Sequence, residues 1–154
     1  ISWSASTKGT SSISASLRIA RNAVDKGDYE VAAIEYEKVL QMDSTHLRAN
    51  LEYGLLLFEF LNEPVKAGRY LLHAEKDSEK DTLPEIFFGL GRYYHFIGDN
   101  PTAILYYQRL APYIQTKTKD GKILESDVNR SIASCHFAIK NSIPVIKQIS
   151  IRNL

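Results

Sequence analysis

One stretch of the chain, Gly27-Asp-Tyr-Glu-Val-Ala32-Ala-Ile-Glu-Tyr36-Glu-Lys-Val-Leu40, recurs as Gly98-Asp-Asn-Pro-Thr-Ala103-Ile-Leu-Tyr-Tyr107-Gln-Arg-Leu-Ala111. In both copies a Gly-Asp turn precedes apolar residues at helical spacing, and an alanine and a tyrosine occupy corresponding places. A weaker copy, Ala67-Gly-Arg-Tyr-Leu71-Leu-His-Ala74, lies between them. The three stretches predict a helix that is repeated along the chain.

The helix that precedes each copy carries a small residue at a corresponding place: Ala20, Gly54 and Gly91. The distance between two packed helices depends on the side chains at their contact, so a small residue lets a hairpin cross closely. We expect the alanines of the second helices to face these residues, with Gly91 packed against Ala103. The period is about 34–35 residues, which is typical of a repeat built from two helices.

Helical periodicity runs from near Ala15 to Asn141 and is broken only at turn signals, at 26–28, 42–44, 62–64, 81–82, 98–101 and 119–121. No stretch within it alternates as a strand does. The segment 82–85 reads as a capping box with a proline in its first turn. These signals predict an all-α fold with hairpins at 13–46, 47–81 and 84–117 and a last helix at about 124–141.

The period and the pattern Leu90-Gly91-Arg-Tyr-Tyr94 resemble a tetratricopeptide-repeat (TPR) domain. The resemblance implies a right-handed superhelix of about three helical hairpins. A capping helix is expected because the last hairpin cannot bury its outer face alone. The predicted organisation is a flexible leader at 1–14, a TPR domain at 15–141 and an extended linker at 142–154 toward a further domain.

Both ends leave an alternative open. The leader is rich in Ser and Thr, which predicts a flexible segment, although Trp3 could dock on the domain. Pro144 is expected to end the last helix, and the residues after it alternate in polarity, which predicts an extended chain. That tail is either a linker or docked segment, or an edge strand that pairs elsewhere.

The C-terminal stretch carries a second resemblance, through Ile132, Cys135, Ala138, Pro144, Ile149, Ile151, Asn153 and Leu154. It is similar to a junction in Gram-negative envelope proteins that carry TPRs, a TolB-like propeller and an OmpA-like peptidoglycan-binding domain. Some of these proteins look like outer-membrane components of the type IX secretion and gliding apparatus. The resemblance implies a periplasmic, outer-membrane-associated protein, whose membrane association would come only through parts beyond residue 154.

Composition and motifs exclude several classes of function. Basic and acidic side chains number 19 and 18, a net charge of +1, which predicts no nucleic-acid partner. One cysteine and four scattered histidines predict no metal site, and no motif indicates a cofactor. No nucleophile or phosphate-binding motif is present, so we expect a protein that is not an enzyme. Cys135 is expected to be a buried, inert thiol.

The candidate site is a groove on the inner face of the first helices. Phe58, Phe88 and Phe96 fall off the hairpin-facing pattern, and charged residues rim them. Such a groove suits an extended peptide or a helix, and the alternative is that the chain's own ends fill it. The predicted groove residues are Arg21, Arg48, Leu55, Phe58, Glu59, Phe88, Arg92, His95 and Phe96.

We therefore expect a non-catalytic protein–protein interaction module that binds a protein or peptide partner in the cell envelope. The competing hypotheses are a generic cytosolic TPR adaptor or chaperone-like scaffold, and the regulatory domain of an enzyme. The sequence that follows Leu154 separates the envelope protein from the adaptor, because a propeller start favours the envelope protein and a stop codon rejects it. The third hypothesis requires a catalytic module upstream of Ile1.

Overall fold

Helices form every regular element in the residues that the computed structural model describes, 3–78, 83–114 and 125–152. The predicted all-α class is confirmed, as is the order of helical hairpins followed by a further helix. By contacts the chain divides into two units, Ile1–Gly89 and Leu90–Leu154. The helices are α1 (Trp3–Lys26), α2 (Tyr29–Met42), α3 (Leu47–Glu59), α4 (Pro64–Asp77), α5 (Pro84–Phe96), α6 (Asn100–Leu110) with a 3-10 turn (Ala111–Tyr113), and α7 (Glu125–Arg152).

Short local signals set the turns within the hairpins. Gly27 and Gly98 adopt φ angles of +81° and +83°, a backbone conformation that other residues seldom take. Asp99 caps α6, because its carboxylate accepts a hydrogen bond from the backbone N–H of Thr102 at 3.2 Å. The turn signals predicted at 81–82 and 119–121 lie outside the described residues.

The core of the first unit forms where small residues meet large ones. Ala20, Ala32 and Ala67 are completely buried. A Cβ atom added at Gly54 would lie 2.9 Å from Cγ of Leu71 and 3.3 Å from the carbonyl oxygen of Ala67. The missing side chain is therefore what lets α3 and α4 cross closely, as the repeat predicts.

In the second unit Gly91 likewise lies at a close crossing of two helices, and its neighbour there is Tyr107. A Cβ at Gly91 would lie 2.6 Å from Cε1 and 2.7 Å from Cδ1 of that ring. The expected partner Ala103 is buried as well, yet all three nearest atoms belong to Tyr107. The nearest atoms belong to a large ring one turn further along α6, which the sequence did not predict at the crossing point.

Helix α7 packs on α6, which is the contact expected of the capping helix. Among the side chains of α7 that the structure describes, Val128 and Cys135 are buried, and Cys135 has no exposed surface. Burial raises the pKa of the Cys135 thiol. The prediction that this cysteine is buried is confirmed.

The C-terminal end differs from its prediction, because α7 continues through Pro144 to Arg152. The extended segment expected at 142–154 is wrong for 142–152, and the last two residues lie outside the described chain. A proline removes one N–H from the helical hydrogen bonds but does not by itself stop a helix. Ile139, Ile143, Ile146 and Ile149 are spaced by three or four residues, so the sequence also carries a helical period here.

The N-terminal end differs in the same sense. Helix α1 begins at Trp3, so most of the segment 1–14, expected to be a flexible leader, is helical. Ser and Thr lower helix propensity by less than about 1 kcal/mol per residue, and extending an existing helix avoids the cost of nucleation. The Trp3 side chain, whose docking was the alternative, lies outside the described side chains.

The crossing at Gly91 predicts a large effect of one methyl group. Gly91→Ala is expected to lower the free energy of unfolding by about 1–3 kcal/mol, because Tyr107 is buried and cannot move away. Gly89→Ala is the matched control on the same helix, since the three atoms nearest to its Cβ would be terminal methyl carbons of Leu71 and Leu55. Urea denaturation of both variants measures the difference, and equal stabilities would contradict the crossing.

The burial of Cys135 predicts that the native protein resists thiol reagents. We expect the rate of its reaction with a disulfide reagent to be limited by the rate at which unfolding exposes the thiol. A variant that combines Cys135→Ser with Ala133→Cys moves the thiol to an exposed position on α7 and should react at once. Rapid labelling of the native parent protein would contradict a buried thiol.

Candidate functional site

The first unit holds six of the predicted groove residues, on α1, α3 and α5. Arg21, Arg48 and Glu59 are exposed, whereas Leu55, Phe58 and Phe88 are half-buried: these are the residues in question. The position of a Cβ at Gly89, the residue after Phe88, is 3.2 Å from Cδ2 of Leu55. The structure thus brings the apolar part of α3 next to the start of α5.

Phe58 contributes to the core as well as to the predicted groove. Its ring packs against the buried cluster that includes Leu57 and Tyr53. The half-buried Phe58 ring therefore stabilises the hairpin through its buried part and remains partly accessible to a partner. The sequence pattern predicted the accessible part but not the contact with the core.

The second unit holds the other three predicted residues, all on α5. Arg92 and His95 are half-buried, and Phe96 is 58% exposed. Nε2 of His95 lies 3.4 Å from Oγ of Ser134 on α7. The helix that follows the last hairpin therefore reaches one of the predicted groove residues.

Arg21 makes an ion pair that the sequence did not predict. Its Nε and Nη2 atoms lie 2.9 Å and 2.8 Å from the two carboxylate oxygens of Glu52. These paired bonds raise the pKa of the Arg21 guanidinium, with hydrogen bonding to Glu52 as the main cause. The pair joins α1 to α3, so Arg21 connects two repeats and its charge is compensated.

Two tyrosines and two glutamates join α2 to α3 reciprocally, and we call Tyr36, Glu37, Glu52 and Tyr53 the Tyr–Glu clasp. The Tyr36 hydroxyl donates to Oε2 of Glu52 at 3.0 Å, and the Tyr53 hydroxyl donates to Oε1 of Glu37. The two rings stack with centroids 6.0 Å apart. Each tyrosine thus bonds the glutamate beside the other tyrosine in sequence.

The sequence contains a signal for the clasp, in the mirrored dipeptides Tyr36-Glu37 and Glu52-Tyr53. Each dipeptide lies on a predicted helix next to a buried position. These dipeptides indicate hydrogen bonds between the two helices only when the helices are known to face each other. Sequence reasoning assigned Tyr36 to the hairpin core and missed its hydroxyl bond.

Lys66 on α4 extends the clasp. Its ammonium donates to the Tyr53 hydroxyl oxygen at 3.0 Å and to Oε1 of Glu37 at 3.3 Å. Burial, and then the bond to Glu37, raises the pKa of Tyr53 to about 12, while the Tyr53 hydroxyl lowers the pKa of Glu37. The pKa of Lys66 is raised, chiefly by Tyr53. These groups keep fixed protonation states near neutral pH, which suits a structural network rather than proton transfer.

The described residues offer neither a membrane-spanning helix nor a cluster of metal ligands. None of the described helices combines the length and the apolar character needed to cross a bilayer. Across residues 3–78, 83–114 and 125–152, no three His, Cys, Asp or Glu side chains come together as metal ligands would.

Comparison with known proteins identifies the fold but no family. No protein-family model and no curated protein matches the chain. Among solved structures, the chain has the fold of a TPR domain. The TPR domain of P58(IPK) is similar with a TM-score of 0.68 at 14% identity, over 90% of this chain and 36% of that one. The MamA protein matches with a TM-score of 0.43 at 16% identity, over 90% and 88% of the two chains.

The clasp predicts a specific response to acid. The folded-state pKa of Glu37 is below its ordinary value of 4.5, so the stability that its ionised form contributes is full above 4.5 and is lost as the pH falls through the folded-state pKa. Tyr53→Phe removes the main cause of the shift. We expect it to cost about 1 kcal/mol at neutral pH and to reduce the loss of stability in acid.

Urea midpoints at a series of pH values measure both effects. Tyr70→Phe is the matched control, because its ring stacks on Tyr53 and its hydroxyl bonds no carboxylate among the described residues. A Tyr53→Phe variant with the acid response of the parent protein would show that the hydroxyl does not control the Glu37 carboxylate.

Proposed function

We propose that the chain is a non-catalytic protein-interaction module, which binds an extended peptide or a helix on the face of its first helices. One observation carries the proposal: Phe58, Phe88 and Phe96, all on first helices, are not fully buried. The rings of Tyr36 and Tyr107, on hairpin-facing positions, are buried. Aromatic rings left at the surface of a helical repeat are typical anchors for a partner.

The electrostatics of the first unit supports a protein partner. Glu52 compensates the charge of Arg21, whereas Arg48 makes no ion pair with any other described residue. Arginine is enriched in binding hot spots, so an arginine without an internal ion pair can bind a carboxylate of a partner. The pKa shifts found in the clasp stabilise the protonation states that prevail at neutral pH, which favours binding over catalysis.

We further propose that the partner belongs to a bacterial cell envelope, and that the chain is part of a periplasmic, outer-membrane-associated protein. The support is the C-terminal resemblance, from Ile132 to Leu154, to envelope proteins with a TolB-like propeller and an OmpA-like domain. A role in type IX secretion or gliding is the narrowest form of this proposal. The fold itself is compatible with other compartments.

The test of the binding face is capture of partners from separate envelope and soluble extracts of the source cells. Phe96→Ala and Phe88→Ala are expected to weaken capture by roughly 1–3 kcal/mol each. Phe137→Ala is the matched control, because this ring on α7 is 69% exposed and lies outside the predicted groove. A thermal melt of each variant separates a binding effect from a folding effect.

Each outcome has a definite meaning. Stability lost in step with binding would show that these rings belong to the core. Equal losses for Phe96→Ala and Phe137→Ala would reject the groove, as would full binding by Phe88→Ala and Phe96→Ala. A Phe96-dependent partner found only in the soluble extract would reject the envelope role and favour the cytosolic adaptor.

A further inference from the structure

A surface cleft of about 330 Å³ lies between α2 and α4, with α3 beneath it. All of its lining residues belong to the first unit, and none of them is a predicted groove residue. The volume is at the lower end of the range for small-ligand sites, which corresponds to one or two side chains of a bound segment. The cleft is thus a second candidate surface, separate from the face of the first helices.

Two side chains with N–H donors line this cleft without a partner among the described residues. Arg69 and His73 are one turn apart on α4, and both are exposed. Neither makes an ion pair or side-chain hydrogen bond with any residue that the structure describes. Residues four apart on a helix are neighbours, so a single anionic group can contact both.

The acidic residue of the cleft, Glu37, already accepts hydrogen bonds from other side chains of the protein. Glu37 accepts bonds from the Tyr53 hydroxyl and the Lys66 ammonium, so its charge is compensated within the clasp. The remaining charge of the lining therefore comes from Arg69. An anionic ligand is complementary to it, whereas a cationic ligand would be repelled.

The apolar part of the cleft is held in place before any ligand arrives. Tyr70 packs on Tyr53 with ring centroids 4.7 Å apart, and Leu40 faces it from α2. The buried Asn50 side chain donates to the carbonyl oxygens of Ser44 and His46 at 2.9 Å and 3.3 Å, which fixes the floor. A site with immobile walls loses little conformational entropy on binding.

We propose that this cleft binds a protein segment in which a carboxylate side chain adjoins an apolar one. Arg69 holds the carboxylate with paired hydrogen bonds, and His73 adds a third donor. Leu40 and Tyr70 bury the neighbouring apolar side chain. The inference shares with the proposed function only the premise that the domain binds protein, and it places an acidic segment on a different surface.

The probe is a fluorescein-labelled hexapeptide of alternating leucine and glutamate, and its binding is followed by fluorescence anisotropy. The reference probe has glutamine in place of glutamate. The parent protein is expected to bind the glutamate peptide more tightly. Arg69→Ala should weaken that binding by about tenfold or more and leave the glutamine peptide unaffected, because a bond to a charged group is lost. His73→Ala should have a smaller effect in the same direction.

Two further variants make the test specific. Arg18→Ala, at an exposed position on α1 outside both the cleft and the predicted groove, is the matched control and should leave the glutamate peptide bound. Arg69→Glu should abolish that binding and create binding of a leucine–lysine hexapeptide. Thermal melts establish that each variant is folded, and these exposed positions on helices are expected to tolerate the changes.

The proposal is overturned if the parent protein does not bind the glutamate peptide, or if it binds the glutamine peptide equally well. Equal losses for Arg69→Ala and Arg18→Ala would also overturn it, because they would place the peptide on no defined site. Capture that depends on Phe96 but not on Arg69 would retain the proposed function and reject the cleft. The reverse result would retain the cleft alone.

Discussion

The close crossing of paired helices is the constraint on which the rest of this structure depends. At Gly54 and Gly91 the first helix offers no side chain, and Leu71 or Tyr107 of the second helix fills the space. An added Cβ would lie within 3 Å of its neighbour at both places, so any larger residue would destabilise the hairpin. Once each hairpin is fixed, the outward faces of its helices are fixed too, and these carry every candidate site.

Apolar packing alone would allow several relative positions of successive repeats. The Tyr–Glu clasp selects one of them, because each hydroxyl must meet one particular carboxylate. Buried polar groups that find their partners favour one arrangement over others of similar apolar area. Arg21 and Lys66 carry the same network to α1 and α4, so four helices of the first unit share it.

The sequence predicted the elements of this fold better than their contacts. Period, turn residues and small residues suffice for the helices and their pairing, because these are local properties. The contact of Gly91 with Tyr107 depends on the relative shift of two helices, which periodicity does not contain. Helix α7 passed the expected stop at Pro144 because one lost hydrogen bond competes with a continuing apolar period. The sequence predicted which residues lie on the groove face. It could not show that the Phe58 ring also packs against the core, because that contact depends on the three-dimensional structure.

The clasp makes the repeats of this chain non-interchangeable. The contact between α2 and α3 depends on the Tyr36 hydroxyl, whereas Leu71, at the corresponding place in the next repeat, meets Gly89 and has no hydroxyl to offer. A duplicated second repeat inserted after the first would present this leucine to a glutamate equivalent to Glu52 and leave that carboxylate without its tyrosine. A longer array made by copying one hairpin therefore also needs the tyrosines and glutamates that join adjacent repeats. The unit that can be copied here includes residues on both sides of the boundary between two repeats.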